Sequence, residues 1–262
     1  MTQSGNRIET AVLTIAGSDS CGGAGVQADL RTFAAYGIHG ASVITAVTAQ
    51  NTVEVRATQA ISPALIASQL EAVLDDLPIC AIKTGMLPDA AAIERVADIL
   101  ESRCCHIPLI VDPVLVATSG AALTIEDTVS ALQNRLFPLA ALVTPNLVEA
   151  RILSGAGADT RATDLAARLL AHGCGAVLLK GGHGDSPMMV DRLMTAAGET
   201  SFEHPALPGD YHGTGCVLSS AIAAQMATGV GLEEAVRFAI EYVQSAIADA
   251  RLPLTGGLHL LG

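Results

Sequence analysis

Short apolar runs alternate along this chain with longer stretches whose apolar positions recur every three or four residues. Val12–Gly17 (VLTIAG) reads as a buried strand and ends in Gly17-Ser18-Asp19-Ser20, then Gly22-Gly23-Ala24-Gly25. The helix predicted next runs to about Tyr36, with Val26, Leu30 and Phe33 on one face. Ala41–Gln50 and Val53–Gln59 are β-rich runs around Asn51-Thr52, the second belonging to a small flap. Ser62-Pro63 opens a helix that closes near Asp76. Strand Ile79–Lys83 ends in Thr84-Gly85-Met86, and a helix starts near Pro88. Strand Leu109–Val111 ends in Asp112-Pro113, before a helix predicted from Glu126 to Leu136. Strand Ala141–Thr144 ends in Pro145-Asn146, before a helix carrying Glu149. Helix Thr163–His172 leads to strand Ala176–Lys180, which ends in Gly181-Gly182-His183. Met188–Met194 and Glu199–His204 pattern as a hairpin, and helices near Cys216–Ala227 and Leu232–Arg251 follow. This alternation predicts one α/β domain over residues 1–262. Its central, mainly parallel sheet would be flanked by helices on both faces, with a small β flap.

Composition narrows the picture. Hydrophobic residues make up 50% and charged ones 15%, but aromatics only 3%, so Ala, Val, Leu and Ile must fill the core. No apolar run approaches the ~20 residues of a membrane helix, and MTQSGNRIET lacks the basic start and apolar centre of a signal peptide. A soluble, cytoplasmic protein is expected. The net charge of −12 argues against nucleic acid or an anionic membrane as partner. An anionic nucleotide would have to be held by local N–H groups and metal ions. The six cysteines show neither a C-x-x-C pair nor zinc spacing; Cys104-Cys105-His106 reads as a helix end entering a strand.

The candidate chemistry gathers at strand ends. Polar residues and glycines stand just past four strands, at Gly17, Asp112, Asn146 and Gly181, the edge where open α/β sheets bind ligands. In LPGDYHGTGCVLSSAIAAQMA (Leu207–Ala227), Gly213-Thr214-Gly215 feed a helix of small residues. Such a turn is either an anion site, built from free N–H groups and the helix dipole, or an ordinary loop before a buried helix. There are only two lysines, Lys83 and Lys180, both at strand ends. Lys180 suits a nucleotide phosphate, with snorkelling into water the alternative; Lys83 reads better as a structural ion pair. Asp112, Asn146 and Glu149 offer the oxygen ligands that suit Mg²⁺, although each also has a local role as turn residue, N-cap or first-turn acid. Walker A, H-R-D, D-F-G and G-x-S-x-G motifs are absent.

LTIAGSDSCGGAGVQADLRTF, VITAVTAQNT, KTGML, DPVLVATSG, VTPNLVEA, LLKGGH and HGTGC occur in that order. Together they resemble the hydroxymethylpyrimidine/phosphomethylpyrimidine kinases of thiamine biosynthesis, in the ribokinase-like superfamily, from Val12 to the C-terminal helix. The resemblance implies ATP- and Mg²⁺-dependent phosphorylation of hydroxymethylpyrimidine and then of its monophosphate. It implies that Gln50, whose amide both donates and accepts, holds the pyrimidine edge, with Asp29, Gly17, Met86 and Val114 lining the same pocket. Lys180, Asn146 and Thr214 would serve ATP, Asp112 and Glu149 the magnesium, and Gly213-Thr214-Gly215 the anion hole. Cys216 would be the base, its thiol acidified by the helix N-terminus; the alternative is that it caps the helix while positioning does the catalysis. A homodimer is implied as well. Cys21, Thr118 and Asp210-Tyr211 depart from the family pattern, and at Cys21 the resemblance leaves open a redox-sensitive thiol or one turned inward. A pyridoxal or pyridoxine kinase and a non-catalytic pyrimidine-binding regulator are the rival functions.

Overall fold

The computed structural model describes residues 7–115, 126–181, 187–254 and 256–261. The first apolar run is β1 (Ala11–Ser18), followed by α1 (Gly25–Ala35), β2 (His39–Gln50) and β3 (Val55–Ala60). Then come α2 (Pro63–Asp76), β4 (Ile79–Thr84), α3 (Ala90–Arg103) and β5 (Leu109–Val111). Beyond the next described residue lie α4 (Glu126–Ala131), β6 (Leu142–Val143), α5 (Leu147–Ser154), α6 (Ala162–Leu170) and β7 (Ala176–Leu179). The chain continues as β8 (Met188–Thr195), β9 (Gly198–Pro205), β10 (Tyr211–His212), α7 (Thr214–Ala227), α8 (Leu232–Ala248) and β11 (His259–Leu260).

Among the described residues, nine strands form one sheet in the order β3-β2-β1-β4-β5-β6-β7-β8-β9. β2, β1, β4, β5, β6 and β7 run parallel, and antiparallel pairs β2–β3, β7–β8 and β8–β9 finish the two ends. The period-2 alternation of strand side chains splits the apolar residues between two cores. Leu13, Ile15, Ile82 and Val111 join Ile66, Ile93, Leu136 and Leu165 on one face. Val12, Ala81 and Ile110 join Phe33, Ile222 and Val236 on the other. The expected sheet, helical layers and flap are therefore present.

Three local departures have physical causes. The helix predicted over Glu126–Leu136 widens after Ala131 into a π turn (Leu132–Leu136) and tightens into a 3₁₀ turn (Phe137–Leu139). Pro138 has no N–H to continue the ladder, so the regular i→i−4 pattern cannot run through it, although Phe137 before it keeps helical angles. The predicted start near Pro88 shifts to Ala90 because Asp89 is the N-cap, accepting from Ala92 N–H at 2.8 Å. The parallel β10–β11 pair went unseen because two residues carry no period.

β2 and β4 lie on opposite sides of β1, so the strand order reverses there. A crevice forms at such a reversal, outside the C-terminal strand ends. Gly17 and Ser18 on one side and Gly85 and Met86 on the other stand at this point.

Candidate active site

α7 is the element on which the site is built. Val217–Ala224 are all buried, so this helix has no solvent face. Its small side chains let it lie against α1, α8 and the sheet. Gly213 is the N-cap with φ +81°, and a Cβ there would strike the carbonyl oxygen of Gly23. Only glycine can both adopt that backbone and pass so close to the β1–α1 loop. The helix ladder begins with Val217 N–H donating to Gly213 O at 2.9 Å. The N–H groups of Thr214, Gly215 and Cys216 therefore precede it, at the positive end of the helix.

Gly215 faces the Lys180–Asp112 side of the cleft. A Cβ there would lie 3.0 Å from Lys180 Nζ and 3.7 Å from Asp112 Oδ2. Lys180 donates to Asp112 Oδ1 at 3.1 Å and sits 4.0 Å from Glu149 Oε2. Thr144 Oγ1 donates to the same Asp112 oxygen at 3.1 Å. Asn146 and Glu149 form a capping box at the start of α5, each side chain accepting from the other's backbone N–H at 2.8 Å. Burial pushes the Glu149 carboxyl up, the Asp112 charge adds to this, and Lys180 opposes both. Burial works against the Lys180 ammonium, but Asp112 and Glu149 outweigh it and raise its pKa. Two buried carboxylates beside one ammonium are one positive charge short, and both offer oxygen. That donor set fits Mg²⁺, and Asp112 and Glu149 are the residues that would hold it.

The other side of the cleft holds the ring-binding candidates. A Cβ on Gly17 would collide with Met86 Cε, so these two are in contact. Gln50 ends β2, partly exposed, and Ser20 fixes its backbone by donating to Gln50 O at 2.7 Å and accepting from Gln50 N–H at 2.8 Å. Its side-chain amide lies 3.0 Å from His212 Nε2, which lies 2.9 Å from Asp19 Oδ2. Val114, past the end of β5, is partly buried, with its N–H donating to Asp112 O at 2.9 Å. Thr118, Gly182 and His183 lie outside the described residues.

Three of these readings turn on burial. Asp29 does not line the pocket: it is fully buried, and Lys83 Nζ stands 2.9 Å from both of its oxygens. Thr14 and Ser220 hydroxyls complete its shell at 2.6 and 2.7 Å. Lys83 is thus the structural ion pair expected. Second, the Cys216 thiol is not acidified. Burial pushes it up to about 11, and the Lys83 charge and a Gly25 backbone N–H only partly oppose that. Third, the Cys21 thiol donates to Asp19 Oδ2 at 3.3 Å and is pushed up to about 11 by burial. So protonated a thiol is a slow target for oxidation. Asp19 and His212 were missed as site residues. The only signal for them was the presence of both within glycine-rich motifs, GSDSCGGAG and HGTGC.

The family description "Phosphomethylpyrimidine kinase" matches residues 19–259. A hydroxymethylpyrimidine/phosphomethylpyrimidine kinase of Rhizobium meliloti is 47% identical over 244 residues, covering 91% of this chain and 90% of that one. The thiamine biosynthesis bifunctional protein ThiED of Geobacter sulfurreducens is 48% identical over 254 residues, 94% of this chain and 51% of that longer one. Among solved structures, an ADP complex of Bacillus subtilis pyridoxal kinase superposes with a TM-score of 0.88 at 31% identity, covering 97% of each chain.

Proposed function

Since the chain belongs to the phosphomethylpyrimidine kinase family, we propose an assignment of its cleft to the two halves of a kinase reaction. The activity is ATP-dependent phosphorylation of hydroxymethylpyrimidine, and of the resulting monophosphate, in thiamine biosynthesis. One observation carries the assignment. His212 touches Gln50, and Gly215, three residues on, approaches Lys180 and Asp112. No more than about 11 Å of chain separates the two contacts, so a ring at Gln50 and a phosphate at Lys180 would meet at the tip of α7.

In this reading Gln50, Gly17, Met86 and Val114 hold the pyrimidine, and Lys180, Asn146 and Thr214 hold the ATP phosphates. Mg²⁺, when bound at Asp112 and Glu149, supplies charge neutralisation between phosphate oxygens. The N–H groups of Thr214–Cys216 are aimed at the region where the transferring phosphoryl group gains charge, and fixed donors there stabilise the transition state. Cys216 is placed to take the alcohol proton. With its thiol at about 11, the thiolate is scarce near neutral pH, so the anion hole carries the larger share of catalysis. The family works in the cytoplasm by this reading; no described helix is long and apolar enough to cross a membrane. A homodimer would form through the flap, where Val47 and Val53 are 46% and 61% exposed.

The test is a phosphate-transfer assay with purified protein, ATP, Mg²⁺ and hydroxymethylpyrimidine, read by mass for mono- and diphosphate. The structural likeness to pyridoxal kinase favours a second reading, so kcat/KM for pyridoxal belongs beside it. A higher value for pyridoxal would reverse the assignment, and no ATP turnover with either would leave only a binding protein.

A further inference from the structure

Two groups crowd one nitrogen. His212 Nε2 lies 2.9 Å from Asp19 Oδ2 and 3.0 Å from Gln50 Nε2. His212 is 3% exposed and Asp19 4%. A Cβ on Gly23 would strike the imidazole, so the ring packs directly against the Gly23 backbone. Asp19 also accepts backbone N–H groups from Cys21 and Ala24, at 2.9 and 2.8 Å. Burial disfavours its charge, yet His212, Cys21 and these N–H groups hold its carboxyl at about 2.

An ionised carboxylate only accepts hydrogen bonds, so the imidazole nitrogen facing it carries the hydrogen. A Gln NH₂ cannot bond to that N–H. The opposite end of the amide is mismatched as well. Gln50 Oε1 is 3.4 Å from Thr48 Oγ1, whose single hydrogen goes to Ser18 O at 3.0 Å. One half-turn of the amide, which exchanges two nearly equivalent ends, repairs both contacts. The oxygen then shares the Nε2 hydrogen with Asp19 Oδ2 in a three-centre bond, and the NH₂ meets the lone pairs of Thr48 Oγ1.

We infer that Asp19 and His212 are positioning residues that set which end of the Gln50 amide donates and which accepts. The relay rests on the reading that Gln50 holds the ring. So oriented, Gln50 keeps one N–H and one oxygen lone pair for ligand, in a fixed order. A planar ring with an exocyclic amine beside a ring nitrogen matches that order. A ring edge made only of acceptors does not. His212 also precedes Gly213, so the relay ties ring recognition to the tip of α7.

Two measurements test this. Long-range ¹H–¹⁵N NMR of the unliganded protein, with the His212 signal assigned by its loss in His212→Gln, is expected to show a protonated Nε2. A bare Nε2 overturns the relay, and this readout needs no variant to be active. Kinetically, His212→Phe is expected to raise KM for hydroxymethylpyrimidine tenfold or more. KM for ATP and kcat should stay within about threefold, and His212→Gln, whose amide N–H can replace Nε2–H, should recover most of the loss. In a Gln50→Ala background the His212→Phe effect should vanish. Should Gln50→Ala itself leave KM unchanged, the ring reading of Gln50 fails. Should Gln50→Ala raise KM while His212→Phe is silent or fully additive with it, the relay fails alone.

Discussion

Lys83, Thr14 and Ser220 together surround the Asp29 carboxylate, which together with Lys83 is fully buried. Removing one partner of such a pair leaves an uncompensated buried charge, at a cost of about 3–5 kcal/mol, whereas replacing both with apolar groups is often neutral. Asp29→Ala is therefore expected to lose about that much in urea unfolding, and Asp29→Leu with Lys83→Met to regain most of it. Recovery would show the pair to be structural. Equal damage from single and double variants would give it another role. Spacing along α1 could place Asp29 near Gly25, but its true partners are 54 and 191 residues away in sequence. That distance hides the ion pair from the sequence, where only the family resemblance gives Asp29 a role. Asp19 gives a pH-dependent counterpart. Its folded carboxyl, held at about 2, lies well below the ordinary aspartate range. Its stabilisation is therefore present above pH ~4 and lost as pH falls through ~2; the gap corresponds to about 2 kcal/mol. Asp19→Asn should cost about that at pH 7 and only a small fraction of it at pH 2, where the folded carboxyl is half protonated, as read by denaturant titration at each pH.

At the scale of elements, α7 was legible because its composition is so narrow. A helix of small residues packs closely; the turn expected at Gly-Thr-Gly is Gly213 alone as N-cap, with Thr214 and Gly215 already in the first turn of the helix. The pKa of Cys216 was not legible, because the helix dipole visible in sequence is outweighed by burial, which depends on the whole fold. Two outcomes separate the parts of this element. Gly215→Asp puts a carboxylate where even a Cβ is 3.0 Å from Lys180 Nζ. It is expected to lower kcat at least ~10²–10³-fold, the usual loss for one anion-hole donor. Cys216→Ala should lower kcat less and leave KM for hydroxymethylpyrimidine nearly unchanged. If the thiolate is the base, wild-type kcat should climb with pH by up to tenfold per unit, without levelling below about pH 11. In Cys216→Ala that slope should disappear. A wild-type profile flat from pH 7 to 9 would leave Cys216 as a helix-tip residue only.

Across the whole molecule, strand–helix alternation carries the sheet class, and glycine punctuation after strands carries the location of the cleft. Pairing order does not show in a pattern of period 2, and neither does the convergence of Asp19, Gln50 and His212 from three separate segments. The flap raises the remaining question of assembly. β3 is the edge of the nine-stranded sheet, and Arg56–Ala60 are all exposed. An open edge strand is a template for pairing with another chain. Val47 and Val53 lie on either side of Gln50, at 46% and 61% exposure, so a copy docked there would cover apolar surface next to Gln50. Light scattering is expected to give twice the 26.7 kDa chain mass, and Val47→Asp with Val53→Asp to return it to one chain. Because β2 delivers Gln50 to the cleft, the monomeric variant should also show a raised KM for hydroxymethylpyrimidine, with KM for ATP unchanged. A wild-type protein that stays at single-chain mass at tens of micromolar would remove the flap from the assembly. A dimer that survives both aspartates would place the interface on another surface.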